Sequence, residues 1–248
     1  MGAKPLFFAD YIAADKLRPE VVEQIVQSIG SCCRENDVIF VGGETAEMPS
    51  VYNEGKTDVA GFIGGVVEKN AVIDGKAISE GDVLIGLQSN GLHTNGYSLA
   101  RKALFEMAGY KVNDYVAELK SKLADALLQP HRNYLKATAA VMKHYKIKGI
   151  AHITGGSFRK NLPRILPKGL AAEINKRSWQ PQPIFKMVMK AGSISEEESY
   201  NTFNMGIGYV YVVSRADADN VMQLLQKMKE TAHIIGTVVK GAGVRYVD

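Results

Sequence analysis

The chain has 248 residues, 46% of them hydrophobic and 23% charged, which suits one large domain or two modest ones and excludes disordered, collagen-like and coiled-coil classes. Thirty basic residues against 26 acidic ones leave a net charge of +4 with no dense Lys/Arg block, so nucleic-acid binding is not expected, while an anionic small molecule would suit it. No run approaches the roughly 20 apolar residues of a membrane span. One lysine before an apolar run that soon meets Asp10 and Asp15 makes a poor signal peptide, so a soluble cytoplasmic protein without membrane or nucleic-acid partners is expected.

PLFFADYIA at the amino end reads as a strand. RPEVVEQIVQSIGSCCREN follows as a helix, with Pro19 at its start and Val22, Ile25, Val26 and Ile29 at helical spacing. Cys32 and Cys33 lie within that pattern as two reduced thiols, lacking metal-ligand spacing or a disulfide framework. DVIFV reads as a short buried strand running into Gly42, Gly43, Glu44 and Thr45, and TDVAGFIGGVVE as a strand whose glycines allow close approach of another backbone. NAVIDGKAISEGD is turn-rich and marks a domain boundary. VLIGLQS then reads as a strand and GYSLARKALFEMAG as a helix closed by Gly109.

Helical stretches are expected at DALLQ and PHRNYLKATAAVMKHY, a strand at 151–153, and a helix after Gly155 and Gly156. GLAAEINK reads as a strand, PIFKMVMKAG as a helix and MGIGYVYVVS as a strong strand. SRADADNVMQLLQKMKE carries Ser214 and Asp217 at capping-box spacing, and AHIIGTVVKG and GVRYV close the chain as strands. This order gives an α+β or α/β fold without repeats.

Three glycine-marked segments could carry chemistry. In the first, the glycine pair at 42–43 would let a ligand reach backbone N–H groups, while Glu44 and Thr45 offer oxygens suited to a magnesium–phosphate unit. The second, residues 91–102, has the glycine spacing of a P-loop, but Tyr97 stands where the lysine should be. His93, Thr94, Asn95 and Ser98 supply hydrogen-bonding groups there, and Arg101 and Lys102 suit an anion at a helix start. The third is His152 to Ser157, with Ser157 as a natural N-cap. Asn204, Gly206 and Gly208 precede a strand, the wrong order for a dinucleotide fingerprint, so these glycines are read as allowing close strand packing. His131, after a helix-starting Pro130, His144 and His233 are read as surface or satisfied side chains. These patterns alone suggest an enzyme handling phosphorylated ligands.

GGETAEMPSVY, SNGLHTNGYSLARK, LLQPHRNYLK, AHITGGSFRKNLPRILP and NMGIGYVYVV, in this order, resemble the phosphoribosylformylglycinamidine cyclo-ligase (aminoimidazole ribonucleotide synthetase) family. The resemblance runs from Gly2 to the last strand and implies a two-domain α+β fold, a homodimer built by the amino-terminal sheet, and an active site between the domains. It implies domains at 1–75, for ATP binding and dimerisation, and 76–248. The implied reaction is ATP-dependent closure of formylglycinamidine ribonucleotide to aminoimidazole ribonucleotide, with ATP and magnesium. Carried over by position, Gly42, Gly43, Glu44 and Thr45 would hold the nucleotide, with Glu44 on the metal. His93, Asn95 and Arg101 would be catalytic, and Thr94, Gly96, Ser98, Gly155, Gly156 and Asn204 would bind substrate.

Two departures stand out. The family ordinarily opens with a D-G-V-G-T-K loop and a helix bearing an N-D pair, so an incomplete amino-terminal domain is expected here. Ser157 replaces a family glycine, and a serine is expected to cap that helix without loss. A shortened non-catalytic binding or dimerising subunit, or another ATP-using phosphotransferase of the superfamily, are the competing expectations.

Overall fold

In the computed structural model, which describes residues 1–248, the chain divides into two units, Met1–Val72 and Ile73–Asp248. The opening apolar run forms β1 (Lys4–Ala14), the central strand of a three-stranded sheet. Helix α1 (Pro19–Glu35) begins at Pro19, where the missing N–H costs no helical bond. It leads to β2 (Ile39–Glu47), parallel to β1, and β3 (Thr57–Val66) then pairs antiparallel on the other side.

Three expectations about this unit need correction. The glycine pair does not end β2: residues 42–47 stay in register with residues 9–14 of β1. A register shift between Phe8 and Ala9 accompanies Gly42, which takes φ +89. Nor is β2 buried, since Ile39 and Val41 are 67% and 58% exposed. In β3 the glycines make room mainly for aromatic rings rather than backbone. A Cβ on Gly61 would sit 2.4 Å from the Phe8 ring, and one on Gly64 would sit 2.3 Å from the Phe7 ring.

The second unit is built on a six-stranded sheet. Its strands are β4 (Val83–Gln88), β7 (Ile147–His152), β8 (Leu170–Asn175), β9 (Ile207–Val213), β10 (Ala232–Lys240) and β11 (Gly243–Val247). They run in the order β11-β8-β10-β4-β9-β7, antiparallel throughout except for β11 beside β8. A small hairpin, β5 (Tyr115–Val116) and β6 (Ser121–Lys122), was not foreseen.

Period-two alternation sends the side chains of β4 to opposite faces. Val83, Ile85 and Leu87 pack with Val141 of α4 (Leu135–His144) and with Val221 and Leu225 of α8 (Arg215–Lys227). Leu84 faces a larger cluster that includes Phe158, Phe185, Val188 and Phe203. Helices α2 (Tyr97–Arg101), α3 (Leu123–Leu127), α5 (Ser157–Asn161), α6 (Pro183–Gly192) and α7 (Glu196–Thr202) contribute to that side. Each fully buried large side chain contributes roughly 1.5–3 kcal/mol, so this α+β unit has a core on both faces of its sheet.

Local signals explain most helix ends. Ser214 Oγ accepts the Asp217 N–H at 3.1 Å, the expected cap of α8. Helix α7 was missed because its sequence, EEESYNT, has no apolar periodicity. Its signal was the capping spacing of Ser195, whose Oγ accepts the Glu198 N–H at 3.1 Å, with three glutamates in the first turn. After Arg101, the helix continues as a π-helical stretch, Lys102–Met107, before Gly109 takes φ +72.

Candidate functional site

In the first unit, Gly42, Gly43, Glu44 and Thr45 lie on an edge strand. A Cβ on Gly43 would fall 1.9 Å from the Asp10 backbone oxygen and 2.3 Å from Asp10 Oδ1, so Asp10 itself demands this glycine. Around Gly42 there is open space. Glu44 and Thr45 are exposed, and Glu44 Oε1 accepts the Thr45 N–H at 2.9 Å. One accessible carboxylate beside free space is a chemically suitable partner for magnesium, which takes one or two protein carboxylates together with phosphate and water oxygens.

In the second unit, three segments meet at one end of the sheet: residues 89–96 after β4, residues 153–157 after β7, and residues 203–206 before β9. Asn204, 3% exposed, joins the first to the last. Its Nδ2 donates to Gly91 O at 2.9 Å and Leu92 O at 3.2 Å, while its Oδ1 accepts the Gly206 N–H at 2.8 Å and lies 3.0 Å from Ser89 Oγ. Asn95 joins the first to the second, because a Cβ on Gly155 would stand 3.2 Å from Asn95 Oδ1. Gly96 takes φ +82 at the start of α2, and a Cβ there would meet the Phe203 ring at 2.5 Å. Thr94, Ser98 and Arg101 are exposed beside this assembly.

The glycines before and within β9 serve side chains, not strand packing. A Cβ on Gly208 would stand 2.2 Å from the Tyr134 hydroxyl and 2.6 Å from His93 Cε1, and one on Gly206 would meet Gln182 Oε1 at 2.9 Å. Ser157 also departs from expectation. It takes φ +52, makes no cap, and its fully buried hydroxyl has no hydrogen-bond partner. Gly156, at φ +85, precedes the helix instead. A left-handed serine costs roughly 1–2 kcal/mol, which explains why glycine suits this turn.

The largest surprise is His131. Helix α4 begins at Leu135, so His131 lies in an irregular segment rather than in a helix. Its ring stacks on His93 with centroids 3.9 Å apart, and its Nε2 lies 3.1 Å from His152 Nε2. No sequence pattern links positions 93, 131 and 152. The pairing of β4 with β9 and of β9 with β7 sets positions 93 and 152 at one end of the sheet, and the irregular segment before α4 lays His131 against both.

His93 is 5% exposed and adopts φ +59. Its Nε2 accepts the Asn90 N–H at 3.0 Å and the Arg132 N–H at 3.4 Å. The neutral ring therefore carries its proton on Nδ1, which is buried without a partner. Burial first, then the neighbouring His131, His152 and Arg132, push the pKa of His93 down to about 3. Burial also lowers His131, helped by His152, and lowers His152. Tyr134 donates to Gln88 O at 3.0 Å and stacks on Tyr209 at 4.9 Å; burial raises its pKa. Arg132 pairs with Glu230 at 2.6 Å, tying the segment that carries His131 to the turn between α8 and β10.

Comparisons with known proteins agree with this architecture. Residues 79–248 match the family described as AIR synthase related protein, C-terminal domain, and residues 1–67 match the corresponding N-terminal domain. A phosphoribosylformylglycinamidine cyclo-ligase of Alkaliphilus metalliredigens (strain QYMF) is 49% identical over 241 residues, covering 97% of this chain and 70% of the relative. One from Bifidobacterium longum (strain DJO10A) is 50% identical over 238 residues, covering 96% and 69%. Among solved structures, thiamine-monophosphate kinase from Stenotrophomonas maltophilia K279a superposes with a TM-score of 0.72 at 14% identity, over 99% of this chain and 73% of that one. E. coli HypE gives 0.72 at 20% identity, over 100% and 71%. At such low identity these two share the fold alone. With two domain matches in order and near half of its residues shared with full-length relatives, the chain belongs to the phosphoribosylformylglycinamidine cyclo-ligase family of AIR synthase-related proteins.

Proposed function

We propose that the chain catalyses the ATP-dependent cyclisation of formylglycinamidine ribonucleotide to aminoimidazole ribonucleotide, releasing ADP and phosphate, in purine biosynthesis. The observation that carries this reading is the identity of about one residue in two over 97% of the chain with relatives that bear the cyclo-ligase name. In the proposed reaction the γ-phosphoryl group of ATP passes to the formyl oxygen of the substrate. The amidine nitrogen then bonds to that carbon, the carbon–oxygen bond to phosphate breaks, and one N–H proton is lost. Positioning and charge stabilisation are the main demands on the protein.

In the second unit, Asn95, Thr94, Ser98 and Arg101 supply donors for the substrate and its phosphate, and the backbone of Gly155 and Gly156, with Gly155 close to Asn95, serves the same ligand. His93 and Asn204 shape the loop from beneath. In the first unit, Gly42, Gly43, Glu44 and Thr45 serve the nucleotide. Glu44 would hold magnesium, which when bound neutralises phosphate charge. We assign Phe62, 65% exposed, and Ile39, 67% exposed, to contact with a second copy of the chain, because they would otherwise leave large apolar side chains in water.

The test is ATP- and magnesium-dependent formation of aminoimidazole ribonucleotide by the purified protein. Arg101→Ala and Asn95→Ala are expected to lower kcat/KM by about 10²–10³. Absence of product, from this chain and from any longer form of it, would overturn the reading.

A further inference from the structure

We propose that His131 and His152 act as one proton-sharing unit and supply the proton acceptor of this site, a role that rests on the cyclo-ligase reading. The geometry separates three histidines into two kinds. His93 is enclosed, and its Nε2 lone pair is occupied by two backbone N–H groups. His131 is half-buried and His152 is exposed, so the pair is the part of the cluster that faces outward. His152 ends β7, three residues before Gly155, whose Cα side abuts Asn95. The pair therefore stands at the edge of the segments that Asn95 brings together.

A separation of 3.1 Å between the two Nε2 atoms allows only one proton between them. In the neutral pair, one ring donates Nε2–H and the other accepts it. The donating ring then holds a free lone pair on Nδ1. That Nδ1 can take the proton released as the amidine nitrogen bonds to the activated carbon and phosphate departs. The charge formed is shared through a charge-assisted Nε2–H···Nε2 bond, and the proton later passes to water. A second proton on the pair would set two N–H groups against each other. The neighbouring titratable and charged groups are His93, stacked on His131 at 3.9 Å, Tyr134 and Tyr209, and Arg132, which Glu230 engages at 2.6 Å. Burial keeps both rings of the pair neutral above the ordinary histidine value of 6.5, the state a proton acceptor requires.

Nitrogen-15 NMR of the histidine-labelled full chain, titrated from neutral pH downward, tests the unit without any turnover. We expect His131 and His152 to take up one proton jointly below pH 6.5, and His131→Gln to abolish the coupling. Independent titrations of the two rings would overturn the proposal. Kinetics test the role. His131→Gln is expected to lower kcat about 10- to 100-fold with KM within about twofold, and to shift the acid limb of the kcat profile by about one pH unit or more. His131→Phe keeps a ring against His93 but cannot share a proton, and it is expected to be equally impaired. Full activity in His131→Phe would reduce His131 to a stacking role and overturn the proposal. A chain that turns nothing over in any form would sink the cyclo-ligase reading, while the titration would still decide whether the proton-sharing unit exists.

Discussion

The two units use similar sequence ingredients to different ends. Both contain apolar strands interrupted by glycines, and both carry a glycine-marked candidate segment, within β2 in the first unit and after β4 in the second. In the second unit, helices cover both faces of six strands, and large residues such as Leu84, Phe158, Phe185 and Tyr211 are fully buried. In the first, one helix accompanies three strands, and full burial is confined to the end of β1 at Ile12 and Ala13. Phe62, Ile63, Ile39 and Val41 remain more than half exposed there. Apolar character alone therefore does not give a buried strand; a covering layer does. The candidate segments differ in the same way, since the one in the first unit is an open edge and the one in the second is braced by buried hydrogen bonds.

The largest expected effect sets Phe158 against Phe62. Phe158→Ala should cost about 3–5 kcal/mol, measured by denaturant unfolding through Trp179, the single tryptophan, which lies 5.9 Å from the Phe158 ring. Phe62→Ala, at a position 65% exposed, should cost below about 0.5 kcal/mol within the isolated chain. Equal losses would mean that the Phe62 face is covered in solution. Next in size is Asn204→Ala, which leaves Leu92 O and the Gly206 N–H without their partner and Gly91 O with Ser89 Oγ alone. A loss of about 2–4 kcal/mol is expected, with faster hydrogen exchange across residues 89–96. Exchange unchanged in that loop would show that the bracing lies elsewhere.

Acidification comes third. His93 has its pKa depressed from 6.5 to about 3, so the unfolded chain binds its proton first. The stabilising contribution is complete above pH 6.5 and declines toward pH 3 by about 1.4 kcal/mol per pH unit for this residue. Chemical denaturation at successive pH values measures the slope, and His93→Gln should flatten it. Stability of the wild-type chain that stays level down to pH 4 would contradict the buried neutral ring. The smallest effect is a gain. Ser157→Gly removes the left-handed serine and its unpartnered hydroxyl and should stabilise the second unit by about 1 kcal/mol, seen as a raised Tm.

Much of the fold was legible locally. Pro19, the Ser214–Asp217 cap and the spacing of Val221 and Leu225 fixed two helices, because caps and apolar stripes are short-range signals. The strands β4, β9 and β10 stood out as apolar runs for the same reason. Helix α7 escaped because its residues carry no apolar periodicity, while the helix read at GYSLARKALFEMAG is present with its second half π-helical. The glycine-rich segments at 91–96 and 155–156 could be picked out as turns beside strands, yet the reasons for individual glycines could not. Gly43 answers to Asp10, Gly208 to Tyr134 and His93, and Gly96 to Phe203, partners distant in sequence except through folding.

Composition, local pattern and motif order thus determined the fold class and the family, since both depend on residues close together in the chain. Whether an apolar strand is covered and how His93, His131 and His152 meet were settled only by the tertiary structure. Those outcomes depend on contacts between residues tens of positions apart, which sheet register creates and no single segment encodes.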